Sequence, residues 1–230
     1  MKKISIIIPV YNEKNTIFAI LDEVEKTDFC SLEKEIILID DCSTDGSSNI
    51  LDGLKNKYKI LHHSVNMGKG AAIRTGITAA TGDIIVIQDA DLEYSPKDYP
   101  ALIKPVIAGE ADVVYGSRFL SQSSSKNYMI ANYIGNKVLT MFANILFGSK
   151  LTDMETCYKV FKSEFIKNIN IKSNRFDFEP EITAKVLKQK IKIKELPITY
   201  DARAIHEGKK ITWVDGVHAI LALLRFRFFD

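Results

Sequence analysis

The chain has 230 residues, of which 46% are hydrophobic and 26% charged, the balance of a globular domain rather than a disordered or fibrous chain. A net charge of +2 gives no ground for a nucleic-acid partner, and none is expected. The three cysteines, Cys30, Cys42 and Cys157, have neither metal nor disulfide spacing and suit a reducing cytosol, and no uncharged apolar run nears the roughly 18 residues of a membrane-spanning helix.

Met1 leads into a strand pattern without the cleavage site of a signal peptide, so a cytoplasmic location is expected. Ile4–Pro9 reads as a buried strand and Asn15–Lys26 as a helix. Glu35–Asp40 is a second strand, followed by a helix over Ser47–Lys57. Lys59–His63 is a weaker third strand, Lys69–Ala80 a helix of small residues, and Asp83–Gln88 a fourth strand. Ser95 and Pro96 are read as the cap and first turn of another helix, with Asp98 at its third position. Ala111–Gly116 is a fifth strand. Short apolar runs separated by helical patterns predict an α/β fold, a mainly parallel sheet with helices on both faces.

The second half is less regular. Ser121–Lys126 reads as a loop, Tyr128–Phe147 as a long amphipathic helix closed by Gly148, and Cys157–Phe161 as a strand. Glu179–Lys188 is a helix with Pro180 in its first turn. Lys190–Tyr200 alternates Ile and Lys, as an edge strand with one wet face does. Trp213–Phe228 is a terminal helix. No repeat and no linker interrupts the chain, so one domain is expected over 1–230, with a first half at 1–120 and a second at 121–230. Charge is uneven: Lys185–Asp230 carries ten Lys or Arg against five Asp or Glu, hence +5, leaving −3 elsewhere.

Asp89-Ala90-Asp91, directly after the apolar run Ile84–Ile87, is the sharpest chemical signal. On an extended backbone alternate side chains point the same way, so both carboxylates reach one site. Paired acids at the end of a buried strand are costly without a cation, and hard oxygen ligands suit Mg²⁺ or Mn²⁺. Taken alone the tripeptide is equally an Asp-rich turn; its company decides. Five successive strand ends carry polar or Gly-rich segments: Pro9-Val10-Tyr11-Asn12-Glu13, Asp40-Asp41-Cys42-Ser43-Thr44-Asp45-Gly46, Asn66-Met67-Gly68-Lys69-Gly70, Asp89-Ala90-Asp91-Leu92-Glu93 and Gly116-Ser117-Arg118. Open α/β sheets place ligands at such a rim. Tyr11 can lie against a nucleobase, Asp40 can accept from a base N–H, and the glycines allow close backbone approach before a helix N-terminus. The Gly-Lys segment fits neither a Walker A loop nor a dinucleotide fingerprint.

These motifs resemble those of the family 2 glycosyltransferases of the GT-A fold, in the family's order over most of residues 4–120. Within that family the chain is most similar to polyprenol-phosphate sugar synthases. Thr152-Asp153-Met154-Glu155-Thr156-Cys157-Tyr158-Lys159 stands where those enzymes carry an Asp-Pro-Thr-Ser-Gly-Phe-Arg-like stretch, with Cys157 in place of the Gly and Lys159 of the Arg. Gly208-Lys209-Lys210-Ile211 resembles their acceptor-side basic loop.

The resemblance implies inverting transfer of a sugar from a nucleoside diphosphate sugar, GDP-mannose or a UDP-hexose, with Mg²⁺ or Mn²⁺ as cofactor. The acceptor is a polyprenyl phosphate or a glycan hydroxyl, with 1–120 binding the donor and 121–230 the acceptor. By position, Pro9, Tyr11, Glu13, Asp40, Gly68, Lys69, Asp89 and Ala90 would line the nucleotide-sugar site. Asp91 would hold the metal with Glu93 and Asp89, and Arg118 the diphosphate. Asp153 would be the base for a hydroxyl acceptor, with Glu155 second. For a phosphate acceptor, which needs no base, Asp153 would orient side chains, and Lys159, Arg203, Lys209 and Lys210 would bind the phosphate. A nucleotide-sugar pyrophosphorylase on the same sheet is the competing class; its N-terminal Gly-rich basic loop is replaced here by Pro9-Val10-Tyr11-Asn12-Glu13. The C-terminal helix, with Trp213, Phe226, Phe228, Phe229, Arg225 and Arg227, is either core or a peripheral anchor to an anionic membrane at its inner face.

Overall fold

The computed structural model describes residues 1–120, 130–202 and 213–229. Seven strands form one sheet: β1 Lys3–Val10, β2 Glu33–Asp40, β3 Lys59–His62, β4 Ile84–Ile87, β5 Val113–Ser117, β6 Lys159–Lys162 and β7 Ile193–Pro197. Their spatial order is β3-β2-β1-β4-β6-β5-β7. Every pairing between these strands is parallel except those of β6, which runs antiparallel to both β4 and β5. The predicted α/β architecture is therefore the observed one, and β6 supplies its exception. Because β6 is reversed, the residues leading into it lie on the same rim as the residues leaving the parallel strands.

The β-branched residues of the central strands bury both faces, as a covered parallel sheet requires. Ile4, Ile6 and Ile8 join one core with Ile20 and Val24 of α1 (Ile17–Lys26) and Leu102 and Val106 of α4 (Tyr99–Ile107). Ile7, Ile37 and Ile39 join the opposite core with Ile73 and Ile77 of α3 (Lys69–Ala79). α3 sits unusually close to the sheet: a Cβ on Gly76 would stand 2.4 Å from Ile7 Cγ2. A third cluster lies beyond the sheet, where α5 (Ile130–Phe147), α7 (Phe178–Lys188) and α8 (Trp213–Phe228) meet through Leu139, Ala143, Ala184, Leu223 and Phe226.

Most element ends lie within two residues of those expected, and three departures matter more. α2 covers Ser47–Asp52 and not Ser47–Lys57, because the chain tightens into successive turns after Gly53, with Leu54 N–H donating to the Leu51 carbonyl. The Ser95 hydroxyl caps nothing; Pro96–Asp98 is a 3-10 turn, and the Asp98 carboxylate instead accepts from Thr199 N–H at 2.7 Å. The edge strand is confined to Ile193–Pro197, with Tyr200 pairing separately to Tyr94.

Candidate functional site

A cleft of about 840 Å³ opens along this rim, within the size range of small-molecule sites. From β1 it receives Pro9, Tyr11 and Glu13. Asn12, left-handed at φ 57°, locks that segment to the next loop, its Oδ1 accepting from Thr44 N–H at 2.8 Å; Asn tolerates this backbone better than other side chains do.

The doubled acid after β2 divides its labour. Asp40 is buried and turned into its own loop, accepting from Ser43 N–H at 3.1 Å and Ser48 Oγ at 2.5 Å and pairing with His62 Nδ1 at 3.0 Å. Burial would raise its carboxyl, but those bonds hold it below the ordinary aspartate value. Asp40 is not part of the cleft lining; Asp41 is. Asp41 accepts from Met67 and Gly68 N–H at 2.9 and 2.7 Å and pairs with His63 Nδ1 at 2.7 Å. It thereby fixes the loop before α3. Gly68, at φ 97°, is pressed so close to that loop's neighbour that a Cβ would lie 2.4 Å from the Asn174 carbonyl oxygen.

Lys69, Asp89, Ala90, Asp91 and Glu93 all reach the cleft. Lys69 Nζ lies 2.7 Å from Asp89 Oδ1, 2.9 Å from Cys157 Sγ and 3.8 Å from Glu179 Oε1. Burial alone would lower the Lys69 ammonium, but the carboxylate charge of Asp89, with that of Glu179, keeps it well above the usual lysine value. Asp89 is thus neutralised by a lysine. Asp91 Oδ1 accepts from Glu93 N–H at 3.2 Å, and Glu93 Oε2 accepts from the Tyr200 hydroxyl at 2.9 Å.

Arg118 borders the cleft, but its guanidinium forks onto Asp153: Nε to Oδ2 and Nη2 to Oδ1 are both 2.7 Å, and its backbone N–H reaches Oδ2 at 3.0 Å. Asp153 is 0% exposed and does not line the cleft. Lys159, also 0% exposed, is ion-paired to Glu179 and bonded to the Met154 and Thr156 carbonyls. It too is absent from the lining, whereas Glu179 is present. Arg203, Lys209 and Lys210 lie outside the described residues. Sequence reasoning missed Asp41, Arg175, Phe176 and Glu179 as lining residues. Only Asp41 carried a signal, the doubled acid.

The donor set suits a hard cation held in part by its ligand. Among the described residues no group of three or more His, Cys, Asp or Glu is gathered around one metal position. Asp91 and Glu93 offer carboxylate oxygens on the cleft wall. Mg²⁺ commonly takes one or two carboxylates and completes its shell with water and substrate phosphates, which these residues would allow.

Open α/β sheets bind ligands in the crevice outside the carboxyl ends of their strands, and this cleft is a site of that class. Residues 5–169 match the model of glycosyl transferase family 2, and the chain belongs to that family of enzymes. It is 28% identical to a dolichol-phosphate mannosyltransferase of Pyrococcus furiosus, over 90% of this chain but 59% of that protein. It is also 28% identical to a UDP-N-acetylglucosamine–dolichyl-phosphate N-acetylglucosaminyltransferase of Methanococcus voltae, over 86% of this chain and 85% of that one. In structure it resembles a glucosyl-3-phosphoglycerate synthase of Mycobacterium tuberculosis crystallised with Mn²⁺, uridine diphosphate and phosphoglyceric acid, with a TM-score of 0.76 at 18% identity, covering 100% of this chain and 80% of that one. The fold is GT-A.

Proposed function

We propose that this glycosyltransferase moves a hexose, with inversion, from a nucleoside diphosphate sugar to a polyprenyl phosphate at an anionic membrane surface. The observation that carries the donor side is the convergence of Asp91, Glu93, Lys69, Gly68 and Tyr11 on one cleft. Pro9, Tyr11, Glu13 and Asp41 form its nucleotide end. Asp91 and Glu93 would hold a divalent cation, which would offset charge on the leaving nucleoside diphosphate. Asp89 keeps Lys69 beside that charge.

On the acceptor side, Asp153 is a positioning residue and not a base, because both its oxygens are committed to Arg118. A phosphate acceptor is already anionic and needs no base, so a buried, Arg-paired Asp153 is compatible with a lipid phosphate, whereas a hydroxyl acceptor would turn to Glu155, which lines the cleft. Lys159 would act through Glu179, and the basic segment with Arg203, Lys209 and Lys210 would meet the acceptor phosphate. The names of the two archaeal relatives support the same acceptor class. No described helix is long and apolar enough to cross a membrane. Instead α5 exposes Ile134, Val138, Met141 and Ile145 at helical spacing, and α8 exposes Val217, Leu221 and Phe228, with Phe229 just beyond. Val138 and Val217 also border the cleft, so an apolar surface runs on from the site itself, as an interfacial acceptor would require.

Radiolabelled GDP-mannose, UDP-glucose and UDP-N-acetylglucosamine, offered with Mn²⁺ and either polyprenyl phosphate or a soluble oligosaccharide, test this reading. Label appearing in the lipid phase supports it. Label transferred only to the oligosaccharide contradicts it.

A further inference from the structure

The approach to β6 places one carboxyl group in the cleft that transfer to a phosphate acceptor does not use. Glu155 lines the cleft, and its Oε1 is shielded from solvent without a hydrogen-bond partner among the described residues. A buried acceptor left without its hydrogen bond is costly, so such a group marks a place where a ligand donor belongs.

The sheet order says which part of the ligand lies there. Along the rim stand Asp41 after β2, Tyr11 after β1, Asp89 and Asp91 after β4, then Glu155 and Cys157 ahead of β6, and Arg118 after β5. A nucleoside diphosphate sugar laid with its base at β1 and β2 and its diphosphate at Asp91 puts its sugar at the approach to β6. The groups facing Glu155 are Glu179 from α7, Lys159 from β6, Arg118 from the β5 end and Asp153 from its own loop. Lys159 is already paired with Glu179 and Arg118 with Asp153. The nearby cations therefore do not discharge Glu155, and a neutral, hydroxyl-bearing ligand is the complement it lacks.

We propose that Glu155 is a sugar-recognition residue: its carboxyl accepts a hydrogen bond from a hydroxyl group of the hexose carried by the nucleotide donor. This rests on the donor reading above and adds the residue that distinguishes a nucleotide sugar from a bare nucleotide. Burial, and then the Glu179 charge, raise this carboxyl to about 7, so it can meet a hydroxyl in either protonation state near neutrality.

Calorimetry without acceptor tests it. Wild type, Glu155→Ala and Glu155→Gln are titrated, with Mn²⁺, with whichever of UDP-glucose, UDP-N-acetylglucosamine and GDP-mannose binds wild type, with its single-deoxy analogues, and with the parent nucleoside diphosphate. Glu155→Ala should weaken the nucleotide sugar by about tenfold, the lower end for a hydrogen bond to a charged group, while leaving the nucleoside diphosphate nearly unchanged. One deoxy analogue should lose the same factor in wild type and nothing further in Glu155→Ala, the coupling that a double-mutant cycle detects. The isosteric Glu155→Gln should fall between. Equal weakening of nucleotide and nucleotide sugar, or no analogue whose loss is coupled to Glu155, overturns the assignment while leaving the donor reading in place. Failure of all three nucleotide sugars to bind wild type overturns the donor reading and this inference with it.

Discussion

Two carboxyl groups two residues apart have opposite fates. Asp153 is buried, and both its oxygens take the Arg118 fork. Asp153→Asn should strand a buried guanidinium and lower stability by about 3–5 kcal/mol, read by urea denaturation; an unchanged midpoint would show that the fork does not form in solution. Glu155 carries the reverse signature. Its folded value of about 7 lies above the ordinary 4.5, so the ionised group destabilises the fold above pH 7, and this penalty fades as pH falls from about 7 to 4.5. Glu155→Gln should therefore raise the melting temperature at pH 8, by an amount equivalent to at most about 3 kcal/mol, and give no gain at pH 4.5. A pH-independent effect would contradict the assignment. The sequence showed acids at both places but not their roles, because pairing between Arg118 and Asp153 spans a separation of 35 residues. The Asp40–Asp41 pair was hard to resolve for a related reason: adjacent side chains at a strand end point opposite ways, and which one reaches the cleft depends on packing from β3 and its loop. Asp41 lies on the cleft wall, while Asp40 is turned into its own loop.

At the scale of elements, the strands and their order along the chain were legible because apolar runs of four to eight residues alternate with helical patterns. The reversal of β6 was not, since its Lys159–Lys162 run carries no directional mark and pairs with strands distant in sequence. The loop before α3 carries Gly68 and Lys69 onto the cleft wall, where the proposed reading sets the nucleoside diphosphate. Gly68→Ala would put a methyl group against the Asn174 carbonyl and force a strained φ, so nucleoside diphosphate affinity should fall by tenfold or more, about 1.4 kcal/mol, with the fold retained by circular dichroism. Unaltered affinity would separate this loop from the ligand. α5 and α8 predict reversible attachment to anionic vesicles, because Ile145 and Phe229 are exposed beside basic Arg225 and Arg227. Co-sedimentation should weaken with salt and with Ile145→Glu combined with Phe229→Glu. A folded protein that ignores vesicles at low salt would remove the membrane from the account and favour a soluble acceptor.

For the whole molecule, the sheet acts as a ruler. Its order sets the loops after β2 and β1, the paired acids after β4, and the approach to β6 with the end of β5 side by side along one cleft, and on the proposed reading that cleft would take a ligand from base to sugar. Two packed cores hold the strands in register behind that rim, while the third cluster under α5 and α8 carries the apolar surface that borders it. The central claim is that this rim binds a nucleoside diphosphate through a cation on Asp91. Calorimetric titration of uridine or guanosine diphosphate into wild type and Asp91→Ala, each with Mn²⁺ and with chelator, tests it most directly. Mn²⁺ should tighten binding to wild type by at least tenfold, about 1.4 kcal/mol, and have no effect on Asp91→Ala. Equal cation dependence in both proteins, or none in wild type, would contradict it.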